Sequence, residues 1–319
     1  MMRLWFTLLW LAVSVGSAAA TPRLLVVSKQ KKTLESYDPS TYKLQFSVPI
    51  PGEPHEVAAA PDGRYAYVGD FGGVPNTLSI VDLNDPGTPT ALKLDPFYKP
   101  HGMAVTKDGK KLYVTCEASR CVVEVDLVAR KVLRSFKLDI MNSHMLALSP
   151  DEKLLLVTSQ WDGNVLIVDI EKGILERTFA TGKGAEGVAV SPDGKEAWVV
   201  NRTVQSLAII DIPGRKRVHK MSCEFNPMRA AMTPDGSLVI ITSAMSDELA
   251  LVDRSQREIV GRIKTGGDFP LGLAVSQDGS RVYVTNMNSA NVSVVDLGKR
   301  ETIHVFEVGG EPEGIALVE

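Results

Sequence analysis

The sequence predicts an all-β fold, a seven-bladed β-propeller, on three observations. One turn motif is written six times at nearly even spacing. A second landmark follows each copy at an almost constant distance. The two chain ends supply complementary fragments of a seventh copy.

The motif reads APDGRYAYVGD (60–70), TKDGKKLYVTC (106–116), SPDEKLLLVTS (149–159), SPDGKEAWVVN (191–201), TPDGSLVIITS (233–243) and SQDGSRVYVTN (276–286). Its aspartates, Asp62, Asp108, Asp151, Asp193, Asp235 and Asp278, recur every 42–46 residues. In the P-D-G form, Pro presets one dihedral of a tight turn and Gly tolerates a later one. The runs SIVDL, VEVDL, LIVDI, AIIDI, ALVDR and SVVDL follow, ending in Asp82, Asp126, Asp169, Asp211, Asp253 and Asp296. Five of these lie 18 residues after the turn aspartate, and the first lies 20 after because FGGVPN is an insertion. Each unit holds four short runs rich in Val, Ile, Leu and Tyr, bounded by turn formers, with no sustained helical period. Four strands per unit of about 40–45 residues is the pattern of a propeller blade.

The seventh unit is split. RLLVVSKQKKTLESYD (23–38) reads as the later part of a unit with Asp38 as its landmark, and GEPEGIALVE (310–319) reads as the start of one. The C-terminal strand is therefore expected to complete the N-terminal blade and close the ring, which protects both sheet edges.

The first twenty residues stand apart. A basic start (MMR), an apolar run (LWFTLLWLAVSVG) and small residues ending in Ala18-Ala19-Ala20 read as a signal peptide over 1–20. The expectation is one exported propeller domain over 21–319, periplasmic or secreted, monomeric, with no membrane span in the mature chain. The net charge is −3 with no basic block, which argues against a nucleic-acid partner. The three cysteines allow at most one internal disulfide, expected between Cys116 and Cys121, with Cys223 free. A second reading makes Cys116 a soft metal ligand beside His101, which would favour copper.

The runs Tyr113-Val114-Thr115-Cys116 and Tyr283-Val284-Thr285-Asn286, the SPDG turns and the VVD strand ends resemble the YVTN-repeat β-propeller family. That family is related to the propeller domain of cytochrome d1-type nitrite reductases. The resemblance covers residues 23–319 and implies the fold. It leaves function open, because its members range from surface-layer repeats to lactone-cleaving enzymes and haem d1 carriers.

The site should lie at a mouth of the central channel, on the innermost strand of each blade. Seven residues before the turn aspartate stand His55, His101, His144, Glu186, Met228 and Leu271, with Glu313 at the matching position of the split blade. Three of the chain's five histidines thus fall in one column of three consecutive blades, flanked by two glutamates. Imidazole and carboxylate together suit a divalent transition metal such as Cu, Zn or Fe. One histidine could instead serve as axial ligand to a haem-type cofactor. The column eight after the turn aspartate adds Asp70, Cys116, Ser159, Asn201, Ser243 and Asn286, with Phe71, Arg120, Trp161 and Arg202 nearby. The loops entering the inner strands add Phe97, Tyr98, Phe225, Phe269 and Arg229. Of these, Tyr98, Trp161, Arg202, Arg229 and Asp70 are the expected ligand-binding residues.

Three functions fit. The first is a periplasmic propeller that binds a metal ion or a metal-bearing ligand at the channel mouth. The second is a metal-dependent lactonase- or lyase-type enzyme on the same residues. The third is a scaffold that docks another exported protein. The chain shows no nucleophile elbow, phosphate loop, haem-attachment motif or zinc-ribbon spacing, and no acid–base pair beyond the column itself.

Overall fold

A computed structural model describes residues 21–72 and 76–319, so the expected signal peptide lies outside the described residues. The described residues form twenty-eight strands, β1 to β28, and no helix. They pair into seven antiparallel sheets of four strands. In the first blade β28 (Pro312–Val318) pairs with β1 (Arg23–Ser28), which continues to β2 (Thr33–Tyr37) and β3 (Leu44–Pro49). The C-terminal strand therefore closes the ring as the split repeat predicts, with Arg23 opposite Val318 and Val26 opposite Ile315.

The repeated residues each have a local task. Asp108 Oδ1 accepts from the Lys110 backbone N–H and the Thr106 hydroxyl, and Asp193 and Asp278 do the same in their blades. The aspartates at the strand ends cap the next turn, as Asp126 does for Val128 and Ala129. The turn glycines sit at positive φ, from +68° at Gly63 to +71° at Gly279. Glu152, where the motif reads SPDE, adopts the same conformation at +58°. Positive φ recurs at matching turn positions in blade after blade, as at Lys99, Asn142 and Phe269 before inner strands and at Arg120, Gln205 and Ala290 in the hairpins that follow, and is a property of the repeat geometry.

Second strands are buried on both faces, so they read as nearly continuous apolar runs such as Leu24–Val27 and Val282–Val284. The core is seven apolar clusters, each shared by two neighbouring blades. Trp198 and Val200 of one blade pack with Ile241 and Val252 of the next, for example.

The innermost strands ring the channel closely. They are β4 (Glu53–Ala59), β8 (Pro100–Val105), β12 (Ser143–Leu148), β16 (Ala185–Val190), β20 (Pro227–Met232), β24 (Pro270–Val275) and β28. A Cβ on Gly272 would stand 2.2 Å from the Glu313 carbonyl oxygen, and one on Gly314 2.7 Å from the His55 oxygen, so these crossings need glycine. The Thr of the YVT run joins blades here. Thr115 Oγ1 donates to the His144 carbonyl at 2.6 Å and accepts the Gly102 N–H at 2.8 Å. Thr158, Thr242 and Thr285 make the matching bonds to Glu186, Leu271 and Glu313.

Candidate functional site

The turn aspartate sets the strand register, so residues at one offset from it arrive at one level of the channel. His55, His101, His144, Glu186 and Glu313 accordingly meet on one side of the mouth. The opposite side is apolar, with Met228, Leu271 and Ala244 buried beside Phe269 and Met287. His101 stacks on His144 with ring centroids 4.3 Å apart and lies 5.5 Å from His55. The Phe71 ring covers them, 4.3 Å from His55 and 5.3 Å from His101.

Carboxylates stand behind two of the rings. His55 Nδ1 contacts Glu313 Oε2 at 2.8 Å, leaving Nε2 buried with no hydrogen-bond partner among the described residues. His144 Nε2 contacts Glu186 Oε1 at 3.1 Å and its Nδ1 contacts Glu117 Oε1 at 2.6 Å. His101, only 3 % exposed, has its Nδ1 buried and unpartnered among the described residues. Glu186 and Glu313, expected as ligands, thus act first as orienting carboxylates that set ring direction and tautomer. Two imidazole nitrogens that could carry lone pairs are thus buried without a partner among the described residues.

Beneath the rings, Arg229 spans the channel. It projects from β20 into the channel, with NH2 2.8 Å from Glu56 Oε1 and NH1 3.4 Å from Glu186 Oε1. Lys29 reaches Glu313 at 3.4 Å, and the Gln160 amide donates to Glu186 Oε2 at 2.6 Å. With neutral imidazoles the cluster holds four carboxylates (Glu56, Glu117, Glu186, Glu313) against one guanidinium and one ammonium.

The electrostatics follow from burial and these partners. Burial, helped by the neighbouring His144, Arg229 and His55, holds His101 well below the usual imidazole range, so it is neutral. Burial also pulls His144 down, but its bonds to Glu117 and Glu186 outweigh that and hold it above the usual value. Burial pushes Glu186 up, yet His144, Arg229 and Gln160 overcome it and bring its carboxyl down to about 2. Glu313 is likewise lowered, with His55 and Lys29 outweighing burial.

His101, Glu117 and His144 each offer a ligand atom, all within 4.8 Å of one another. Two donors about 2.1 Å from a zinc-like ion stand at most about 4.2 Å apart. These three donors lie close to that limit, and His55 stands beside them with its ring centroid 5.5 Å from that of His101.

Above the rings opens a cleft of about 400 Å³ lined by Lys99, Glu117, Arg120, Met141, Asn142, Gln160 and Trp161, among others. Trp161, 66 % exposed, is where the sequence placed a ligand wall. Tyr98 is half exposed in the adjoining loop, its backbone N–H bonded to Ser119 Oγ, and it does not line the cleft. Arg202 is part-buried in the blade next to that of Trp161 and does not line the cleft, its carbonyl accepting from Asn226.

Other expectations need correction. Asp70 faces into its blade, bonded to the Thr77 and Ser79 hydroxyls and only 4 % exposed. The rest of its column, including Asn201 and Asn286, is buried and bonded within blades in the same way. The mouth is served by the next residue along: Lys29, Phe71, Glu117 and Gln160. Cys116 and Cys121 are register partners across a hairpin, as the expected bridge requires, but the three thiols are free. The bond to Cys121, with burial, pushes the Cys116 thiol well up. Both sulfurs belong to the apolar cluster with Leu94, Leu112 and Val114, so Cys116 does not join the histidines as a soft ligand. Phe97 and Phe225 pack between blades instead of facing the mouth.

Comparison with known proteins agrees with this architecture. A 6-phosphogluconolactonase of Yersinia pestis is 24 % identical over 199 residues, and the chain spans 58 % of that relative's length. A chain of Kuenenia stuttgartiensis hydrazine synthase superposes with a TM-score of 0.78 at 20 % identity, covering 90 % of this chain and 99 % of that one. A functionally unknown protein from Desulfotomaculum acetoxidans superposes at 0.80 with 14 % identity, over 93 % and 99 % of the two chains. At those identities the two superpositions establish the fold. Residues 51–260 and 143–303 match the family described as lactonase, 7-bladed beta-propeller, and the chain belongs to that family.

Proposed function

We propose that this chain is an exported, monomeric propeller that holds one divalent transition metal ion at its channel mouth. His55, His101 and His144 supply nitrogen, Glu117 supplies oxygen, and Glu186 and Glu313 orient the rings. The observation that carries the reading is the pair of buried, unpartnered ring nitrogens on His55 and His101. A buried polar atom left without a partner costs about 1–3 kcal/mol, and a metal ion is a partner that an imidazole lone pair takes well. Charge supports it: once His144 gives up its proton, as metal binding requires, four carboxylates face two cations and a divalent ion offsets the difference. Within that reading we further propose kinship with the YVTN-repeat and cytochrome d1-type propellers, on the Tyr113–Cys116 and Tyr283–Asn286 runs.

The test is metal uptake. Purified protein is titrated with Co²⁺ and Zn²⁺, and the cobalt absorption bands report coordination. One equivalent should bind, with bands of a four- or five-coordinate nitrogen–oxygen site, and His55→Ala and His101→Ala should each weaken binding at least about tenfold. Protein that takes up no metal under any loading condition sinks the proposal. Metal held equally well by the double variant sinks the assignment of ligands.

The family match favours a second reading of the same centre. A bound metal would polarise a lactone carbonyl, water would add to its carbon, and the ring C–O bond would break to give a hydroxy acid. Metal-dependent hydrolysis of a simple δ-lactone, lost in His101→Ala, would support it, and rates equal to buffer would remove it.

A further inference from the structure

We infer that the cleft beside the histidines is a subsite for a small oxyanion that binds together with the metal. The inference rests on the metal reading above and names the co-ligand of that site. It starts from two cations. Lys99 and Arg120 both line the cleft, and neither forms an ion pair among the described residues. Most other guanidiniums near the channel or in blade interfaces are matched, as Arg229 is by Glu56 and Arg254 by Asp193 and Glu196. Lys99 instead lies over the face of Phe71, 5.0 Å from its centroid, on the ring that covers His55 and His101.

The backbones that carry the two cations are tied together. The Glu117 N–H donates to the Lys99 carbonyl at 3.0 Å, and the Arg120 N–H donates to the Glu117 carbonyl at 3.3 Å. The loop carrying Lys99 and the hairpin carrying Arg120 are thereby one stitched unit. Glu117 sits at its centre and bonds His144. Gln160, on the cleft's other wall, bonds Glu186. The cleft floor is therefore the metal site itself.

This arrangement makes anion binding conditional. Without a metal, the floor presents the Glu117 carboxylate, which repels an oxyanion. A divalent ion on His101, Glu117 and His144 would offset the Glu117 carboxylate and remove that repulsion, leaving Lys99 and Arg120 as the unanswered charges of the cleft. One oxygen of the anion then takes a position on the metal, and its others meet the Arg120 guanidinium and the Lys99 ammonium. Trp161 and Met141, 66 % and 43 % exposed, supply a flat apolar rim for whatever the anionic group is attached to. Linkage requires the reverse effect, so the anion must tighten the metal by the same factor.

The experiment uses the full exported chain, inorganic phosphate and benzoate. Phosphate tests the oxyanion alone, and benzoate tests a carboxylate with a flat face. Trp161 emission and the cobalt bands are read in a two-way titration. Both anions should bind at least about tenfold more tightly to cobalt-loaded than to metal-free protein, shift the cobalt bands, and raise cobalt affinity equally. Benzoate alone gaining from Trp161, judged by Trp161→Ala, would assign the natural ligand to the carboxylate class; phosphate alone binding would assign it to phosphates. Lys99→Gln with Arg120→Gln should lose the anion effect, while cobalt uptake in anion-free buffer reports separately that the site is still folded. Anion affinity independent of metal, or unchanged in the double variant, overturns the inference and leaves the metal reading standing. A wild-type protein that binds no cobalt overturns both.

Discussion

Arg229→Met removes the cation that spans the channel, and its cost can be worked from the contacts. The guanidinium side chain is 11 % exposed, and its partners Glu56 and Glu186 are 15 % and 4 % exposed. Methionine keeps most of the buried stem, so the loss is chiefly electrostatic. Removing one partner of a buried pair costs about 3–5 kcal/mol, because the other charge stays buried. Glu186 keeps His144 and Gln160, so Glu56, 2.8 Å from the guanidinium, is the group left exposed to that cost. The lower end, about 3 kcal/mol, is expected. The assay is equilibrium urea denaturation with a chelator present, followed by fluorescence and circular dichroism together. A urea slope of about 3 kcal/mol per molar turns that loss into a midpoint lower by about 1 M. Adding Glu56→Gln to the variant should recover more than half of it. A midpoint unchanged within about 0.3 M, or no recovery from the second substitution, refutes the argument that these charges are enclosed and coupled.

Burial pushes the Asp70 carboxyl up to about 7 against a usual 3.8, and the Thr77 and Ser79 hydroxyls only partly offset that. Its contribution to stability is then fully present below about pH 4 and lost as pH rises through about 7, an upper limit of about 4 kcal/mol. Asp70→Asn, the residue that two other blades carry in this column, should be more stable than wild type at pH 8, with the gap closing toward pH 4 in urea melts; parallel curves would contradict this. Thr115→Val leaves the Gly102 N–H and the His144 carbonyl without their partner and should cost about 2 kcal/mol in chemical denaturation, where an unchanged midpoint would count against the blade-stitching role. Gly272→Ala places a methyl group 2.2 Å from the Glu313 oxygen and should lower the melting temperature by several degrees or prevent folding, whereas Gly87→Ala, with open space around it, should do neither.

The sequence carried most of the fold because a propeller repeats one set of local decisions. Each turn aspartate anchors its own hairpin, so counting from it fixes which residue enters the channel and at what level. The histidine column was legible for that reason, as were Met228 and Leu271 opposite it. Glu117 and Gln160 were missed by one residue. By position the column eight after the turn aspartate points to the mouth, but strand alternation turns it into the blade, where Asp70, Asn201 and Asn286 bond neighbouring strands. The column nine after faces the rings, and its members Phe71, Glu117 and Gln160 each touch a column residue. Counting one place further from the same aspartate would have found them.

What local counting could not supply is partnership across the ring. Glu56 and Arg229 share one offset, yet four other blades place glycine there, and at Gly102, Gly187, Gly272 and Gly314 the neighbouring backbone fills the space. A side chain at this offset must therefore leave the strand toward the channel axis, and one carboxylate and one guanidinium there will find each other from distant blades. That pairing explains why a channel mouth crowded with carboxylates tolerates a neutral His101: the guanidinium already answers Glu56 and part of Glu186. Glu117, which the guanidinium does not reach, is answered by His144 alone, at the floor of the cleft where the proposed ion would sit.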